Sequence, residues 1–136
     1  QLLIDYLRNT ARSFIYSTSL SPANLGAARA ALQILEAEPE RVQKLQQNTQ
    51  YVCTLLRQSG LPAESESAIV PVILGDEGKA VAAAKMLFQQ GIILSAIRYP
   101  TVKRGSARLR IALMATHTKQ DLQDAVKKIC DVVKNA

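Results

Sequence analysis

The 136 residues predict an α/β (α+β) chain, with a small, mostly antiparallel sheet, helices packed on one face of it, and long helices ahead of it. Three observations predict this. Before residue 60, apolar residues recur at helical spacing in two long runs. After residue 61 the order is strand, helix, strand, strand, helix, which suits an antiparallel or mixed sheet covered by helices. The composition is 48% apolar and 21% charged, which calls for a packed core and argues against disorder. With four Tyr, two Phe and no Trp, that core must be built from Leu, Ile, Val and Ala.

Taken in order, Gln1 to Arg12 reads as the end of a helix with Leu3, Leu7 and Ala11 on one face. Ser13 to Thr18 reads as a short extended segment. Ser21 as N-cap with Pro22 at the first helical position starts a helix to about Glu38, striped by Leu25, Ala28, Leu32 and Leu35. Pro39 interrupts it and opens the next, whose stripe is Val42, Leu45, Thr49, Val52 and Leu56, until Gly60 stops it. Ala68 to Leu74 is a nearly unbroken apolar run, the mark of a strand covered on both faces. Pro71 within it suggests an edge or a bulge. Gly75-Asp76 turns into a helix carrying Val81, Ala84, Leu87 and Phe88 and closed by Gly91. Strands are expected at Ile92 to Ile97 and Ala107 to Leu113. Thr118 and Asp121 form a capping box for a last helix with Leu122, Ala125, Ile129, Val132 and Val133 inward.

Composition also narrows function. The longest apolar runs are far too short to cross a bilayer, and no signal peptide is visible at Gln1, so a cytoplasmic protein without membrane contact is expected. The net charge is +6, but the basic residues are scattered except at Arg98, Lys103, Arg104, Arg108 and Arg110. Nucleic-acid platforms interleave such patches with aromatics, and only Tyr99 is near, so no nucleic acid is expected. Cys53 and Cys130 have no metal-ligand spacing and read as reduced, buried thiols. A single His and no ligand cluster make zinc, or any other metal, implausible.

The basic cluster is the informative stretch. Pro100 and Gly105 bracket a turn, and the strand after it alternates, with Leu109, Ile111 and Leu113 one way and Arg108, Arg110 and Ala112 the other. An apolar back and two arginines in front make a plausible anion clamp, because a guanidinium grips a carboxylate or phosphate through two parallel hydrogen bonds. The same pattern also suits a half-solvated edge strand guarded by charge.

The wording AIRYPTVKRGSARLRIALMATHT, from Ala96 to Thr118, resembles the C-terminal stretch of the α-oxoamine synthases. LIDYLRNTARSFIYSTSLSP, from Leu3 to Pro22, resembles the segment after the cofactor lysine in that family. The resemblance covers nearly the whole chain and is strongest to the biotin-pathway branch. It implies an acyltransferase dependent on pyridoxal 5'-phosphate (PLP) that condenses an amino acid, here alanine, with an acyl-CoA, here a pimeloyl thioester, and releases CO2. It also implies a homodimer and the small C-terminal domain of a fold-type I PLP transferase. Residues 1-20 would be the remnant of the link from a large cofactor domain, 21-60 a helical connection, and 61-136 the small domain. Other branches, using glycine with acetyl- or succinyl-CoA or serine with palmitoyl-CoA, stay open.

By the same resemblance, Arg110 holds the amino-acid carboxylate, Thr101 lines the substrate pocket, and Arg98 adds charge for the acyl donor. Thr18 reaches the PLP phosphate of the other subunit. Thr101 is alternatively a turn residue, Arg108 the arginine of a structural ion pair, and His117 a backbone partner near the last cap. Tyr99 stands where the branch often has Pro, and Met114 and Thr116 where it often has Thr and Ala, which loosens the claim on acyl length. The family's Ser-x-x-Lys before glycines is not in this sequence, and Lys44, Lys79, Lys85 and Lys119 read as surface lysines. The expectation is a fragment with no catalytic residue of its own, inactive and binding no cofactor alone. A stand-alone regulatory module that binds an anion or RNA is the alternative.

Overall fold

The computed structural model describes residues 1–18 and 20–135, and these divide into two compact units, Gln1–Glu38 and Pro39–Ala136. The first unit holds helices α1 (Leu2–Thr10), α2 (Arg12–Ile15) and α3 (Pro22–Ala37). The extended segment expected from Ser13 is instead the short turn of α2, in which the Phe14 and Ile15 N–H groups both donate to Ala11 O (2.9 Å each). Local hydrogen bonding there overrides the β-propensity of Phe14, Ile15 and Tyr16. Helix α3 starts as expected, Ser21 Oγ accepting the Asn24 N–H at 3.3 Å with Pro22 at the first helical position. Its apolar stripe, however, is exposed, and no described residue of the three helices is buried.

The second unit runs α4 (Glu40–Gln58), β1 (Ile69–Gly75), α5 (Glu77–Gln89), β2 (Ser95–Ile97), β3 (Ala107–Ala112) and α6 (Lys119–Asn135). Its sheet is ordered β1-β3-β2, both pairings antiparallel, so the last strand lies in the middle. The expected α/β architecture is the observed one. The core lies between one sheet face and the helices. Val52 and Leu56 of α4, Val70 and Val72 of β1, Leu87 of α5, Leu109 and Ile111 of β3, and Leu122, Val126 and Ile129 of α6 close it. Each such side chain contributes about 1.5–3 kcal/mol by leaving water.

Three local expectations change. β1 is buried on one face, Val70 and Val72 inward, while Ile73 is 60% exposed. It is an edge strand, as Pro71 suggested, but the register shift falls between Ile73 and Gly75, where Gly75 takes φ 80°. α5 is rotated by one residue. Ala80, Ala83 and Leu87 face the core and Phe88 is 65% exposed, because small alanines let the helix approach the sheet. Of the strand expected over residues 92–97, only Ser95–Ile97 pairs.

The ends of the helices follow the sequence closely. Asp76 caps α5 by accepting the Lys79 N–H at 2.8 Å. Thr118 and Asp121 form the reciprocal box of α6: the Asp121 N–H donates to Thr118 Oγ1 (3.2 Å), and the Thr118 N–H (3.1 Å) and hydroxyl (2.6 Å) donate to Asp121 Oδ2. Those bonds to the ionised carboxylate hold its pKa below the ordinary value, the Thr118 hydroxyl first. Both cysteines are free and buried, as expected, and burial pushes the Cys53 thiol up. No helix among the described residues is long and apolar enough to cross a membrane.

Candidate functional site

The face of the sheet turned away from the core carries the arginines. Alternation along β3 sends Ala107, Leu109 and Ile111 inward, leaving Arg110 and Ala112 exposed and Arg108 half-buried. Pairing then fixes the neighbours. Pro71 and Ser95 flank Arg110, Ile73 and Ile97 flank Arg108, and Ile69 stands opposite Ala112. Arg110 therefore stands in the middle of a central strand, which removes the edge-strand reading of this segment. Its neighbours are a proline ring and a small hydroxyl, and among the described residues it has no hydrogen-bond or ion-pair partner.

Arg108 differs. Its Nε donates to Ser106 O at 3.0 Å, so it is tied to its own turn, and the expected ion pair is not present among the described residues. One of its five donors is taken in this way. The guanidinium left free two residues on can accept a carboxylate through its fork of donors.

Between β2 and β3 the chain makes the basic turn. The Tyr99–Pro100 peptide is cis. The Thr101 N–H closes on Arg98 O at 3.0 Å, and the Ser106 N–H on Lys103 O at 3.1 Å, while Gly105 takes φ 75°, a conformation few other residues adopt. Thr101 thus satisfies the turn through its backbone and leaves its exposed hydroxyl without a partner among the described residues. Arg98 is exposed just past the last paired residue of β2. Arg104 lies over the Tyr99 ring, 4.6 Å from its centroid.

Thr18 belongs to the first unit and is exposed. In Tyr-Ser-Thr-Ser, Ser17 Oγ is engaged with Phe14 O at 3.0 Å, and Ser19 lies outside the described residues. The Thr18 hydroxyl has no partner among the described residues.

Two residues that position the site were not singled out from sequence. Ser95 is found only once the β2–β3 register is known. Asn48, buried within the apolar stripe of α4, donates to Met114 O (3.0 Å) and His117 O (3.2 Å) and so anchors the turn that follows β3. His117 Nδ1 accepts the Met114 N–H at 3.2 Å in the same turn, the backbone role expected of it. The depressions of about 290, 520 and 540 Å³ on this unit are not lined by Arg98, Thr101 or Arg110. The arginine face is open on the side away from the core. No cluster of metal-ligating side chains occurs among the described residues.

Residues 1–129 match the family described as aminotransferase class I and II. The chain belongs to this family. An 8-amino-7-oxononanoate synthase of Lysinibacillus sphaericus is 43% identical over 131 residues, 96% of this chain and 34% of the relative. The solved 8-amino-7-oxononanoate synthase of Francisella tularensis is 33% identical with a TM-score of 0.79, over 99% of this chain and 40% of that one. A serine palmitoyltransferase from S. paucimobilis, with bound PLP, gives a TM-score of 0.88 at 24% identity over 99% of this chain and 35% of that one, a likeness of fold. The chain spans about a third of the length of the curated relatives it matches. The α-oxoamine synthase resemblance and the fold-type I PLP class read from the sequence both hold for this member of the family.

Proposed function

We propose that this chain is the C-terminal part of a PLP-dependent C-acyltransferase of the 8-amino-7-oxononanoate synthase type, joining alanine to a pimeloyl thioester in biotin biosynthesis. The observation that carries the proposal is Arg110, unpartnered at the centre of the open sheet face. Supporting it are relatives of that name over nearly the whole chain. In this reading residues 61-136 are the small domain, 21-60 the helical connection and 1-20 the link to a cofactor domain. The enzyme is a cytoplasmic homodimer.

PLP, when bound, supplies an electron sink for the amino acid's α-carbon. This chain's residues fit the periphery of such a group. The free Thr18 hydroxyl suits a phosphate oxygen. The lysines are less suited, since most are solvent-exposed side chains of helices and turns, and the anchoring lysine is assigned to the part of the enzyme these 136 residues do not span. Alone, the chain is then inactive.

Arg110 does the orienting. Two parallel bonds to the carboxylate fix the substrate's rotation about its own axis, so that the bond to be broken can stand across the cofactor ring. Thr101, with a free hydroxyl, lines the acyl side, and Arg98 supplies positive charge beside it. Arg108 is tethered to its own turn through the Nε bond to Ser106 O.

The test is Arg110→Ala and Arg110→Lys in the full-length enzyme. The expected outcome is a KM for alanine raised roughly 10- to 100-fold in the alanine variant, because a hydrogen-bonded charge contributes about 1.5–3 kcal/mol. Lysine should restore only part, since it keeps the charge without the fork. Unchanged alanine binding in both would overturn the assignment. The second reading, a stand-alone anion- or RNA-binding module, is favoured by the uncompensated basic turn. It predicts a steeply salt-dependent affinity for RNA.

A further inference from the structure

Three cations of one loop lack counter-charges. Arg98, Lys103 and Arg104 are exposed, and among the described residues none of them pairs with a carboxylate. They are not loosely displayed. Thr101 and Val102 N–H groups both point to Arg98 O (3.0 and 3.3 Å), and Ser106 N–H to Lys103 O. Arg104 rests on the Tyr99 ring, which holds in one place a side chain that would otherwise sample many rotamers. A cluster of like charges held on a closed frame repels itself, so it is favoured when an anion of several charges sits among its members.

The position of the loop restricts that anion. Arg110 lies three residues along β3 from Ala107, roughly 10 Å at strand rise, and the loop lies beyond Ala107. A single amino acid is too small to touch both places. Whatever Lys103 and Arg104 hold is therefore the far end of a long ligand or a second molecule. An acyl-CoA has this form. Its thioester sits at one end of an extended pantetheine arm and its phosphates are gathered at the other.

We infer that Lys103 and Arg104, with Tyr99 as the platform for Arg104, bind the phosphate-bearing end of the acyl-CoA. This rests on the acyl-transfer reading above and deepens it. Tyr99 and Arg104 then set preference for the carrier of the acyl group, and Arg110 for the amino acid. RNA, the other polyanion, fits less well because the single nearby aromatic face carries Arg104 and leaves no row of stacking platforms.

The test uses the full-length protein with alanine and a panel of pimeloyl-, acetyl-, succinyl- and palmitoyl-CoA, and with the best acyl group carried on pantetheine. The variants are Lys103→Ala/Arg104→Ala and Tyr99→Leu, with direct titration of free CoA beside the kinetics. The expected result is a KM for acyl-CoA and a Kd for CoA raised about tenfold or more in the double variant, each lost charge-assisted contact being worth up to about that factor. Tyr99→Leu should give a smaller rise. KM for the acyl-pantetheine and for alanine should stay at wild-type values. That split is a readout a merely structural loop would not produce. Equal effects on both acyl carriers, or none on acyl-CoA, overturn the inference while the acyl-transfer reading stands. No product from any donor with the wild-type protein overturns the reading and the inference with it. RNA affinity lost in the double variant, without CoA affinity in the wild type, assigns the loop to RNA and also overturns it.

Discussion

Arg108 and Arg110 are two residues apart on one face of one strand, and their surroundings give them different work. Arg108 is half-buried and bonded to Ser106 O, whereas Arg110 is exposed and unpartnered among the described residues. Alternation announces both and cannot rank them, because the ranking depends on a turn closing back on one of them. Asn48 is the complementary case. A polar residue inside an apolar stripe reads as a flaw in the sequence. In the fold it donates twice, to His117 O and to Met114 O, the latter also accepting the His117 N–H. Asn48→Ala should destabilise the chain by about 1–3 kcal/mol, the cost of leaving buried groups unpaired. Urea unfolding checks this: the midpoint should fall with the slope unchanged. An unshifted midpoint would mean the anchored turn does not depend on Asn48.

At the scale of elements, boundaries were readable where side chains cap or break the backbone. Ser21-Pro22, Asp76, Gly91, Thr118 and Asp121 stand where their chemistry put them. The inward face was less readable. Helix α5 has apolar residues over most of its circumference, so the expected stripe through Val81, Ala84, Leu87 and Phe88 and the observed one through Ala80, Ala83 and Leu87 both fit the sequence. The choice was made by the sheet, which admits alanines closest. This gives a paired prediction. Leu87→Ala should cost about 2–5 kcal/mol through lost burial and a cavity. Phe88→Ala should stay within about 0.5 kcal/mol in this chain, as a surface change does. Thermal melts of the two variants decide between the faces, and a comparable loss in both would restore the stripe expected from sequence. The strand expected from Ile92 was drawn too long for a related reason. Ile92 to Ile97 has strand composition throughout, but only its last three residues find a partner on β3.

Across the molecule, the two units differ in how they hold themselves. Pro39–Ala136 has a core shared by three helices and two strands, while no described residue of α1, α2 or α3 is buried. Stability should follow burial. Limited proteolysis of the 136-residue chain should therefore cut first within residues 1–38 and leave a resistant fragment beginning near Pro39. Loss of both at one rate would show that their stabilities are coupled. The fold class was legible because element order and period survive in sequence. The candidates Arg110, Thr101, Arg98 and Thr18 were named through motif resemblance, whereas Ser95 carries no motif and is found only because strand register sets it beside Arg110.

The strand order has a consequence for how the chain is made. β3 is the last strand to leave the ribosome and the middle one in the sheet, and β1 and β2 have no bond to each other. Until residue 112 has emerged, neither flanking strand has anything to pair with. The segment bearing Arg110 is therefore also the seam that joins the sheet. A nascent chain stopped before it holds no half-built clamp, and any product that has assembled its sheet already carries the arginine in place.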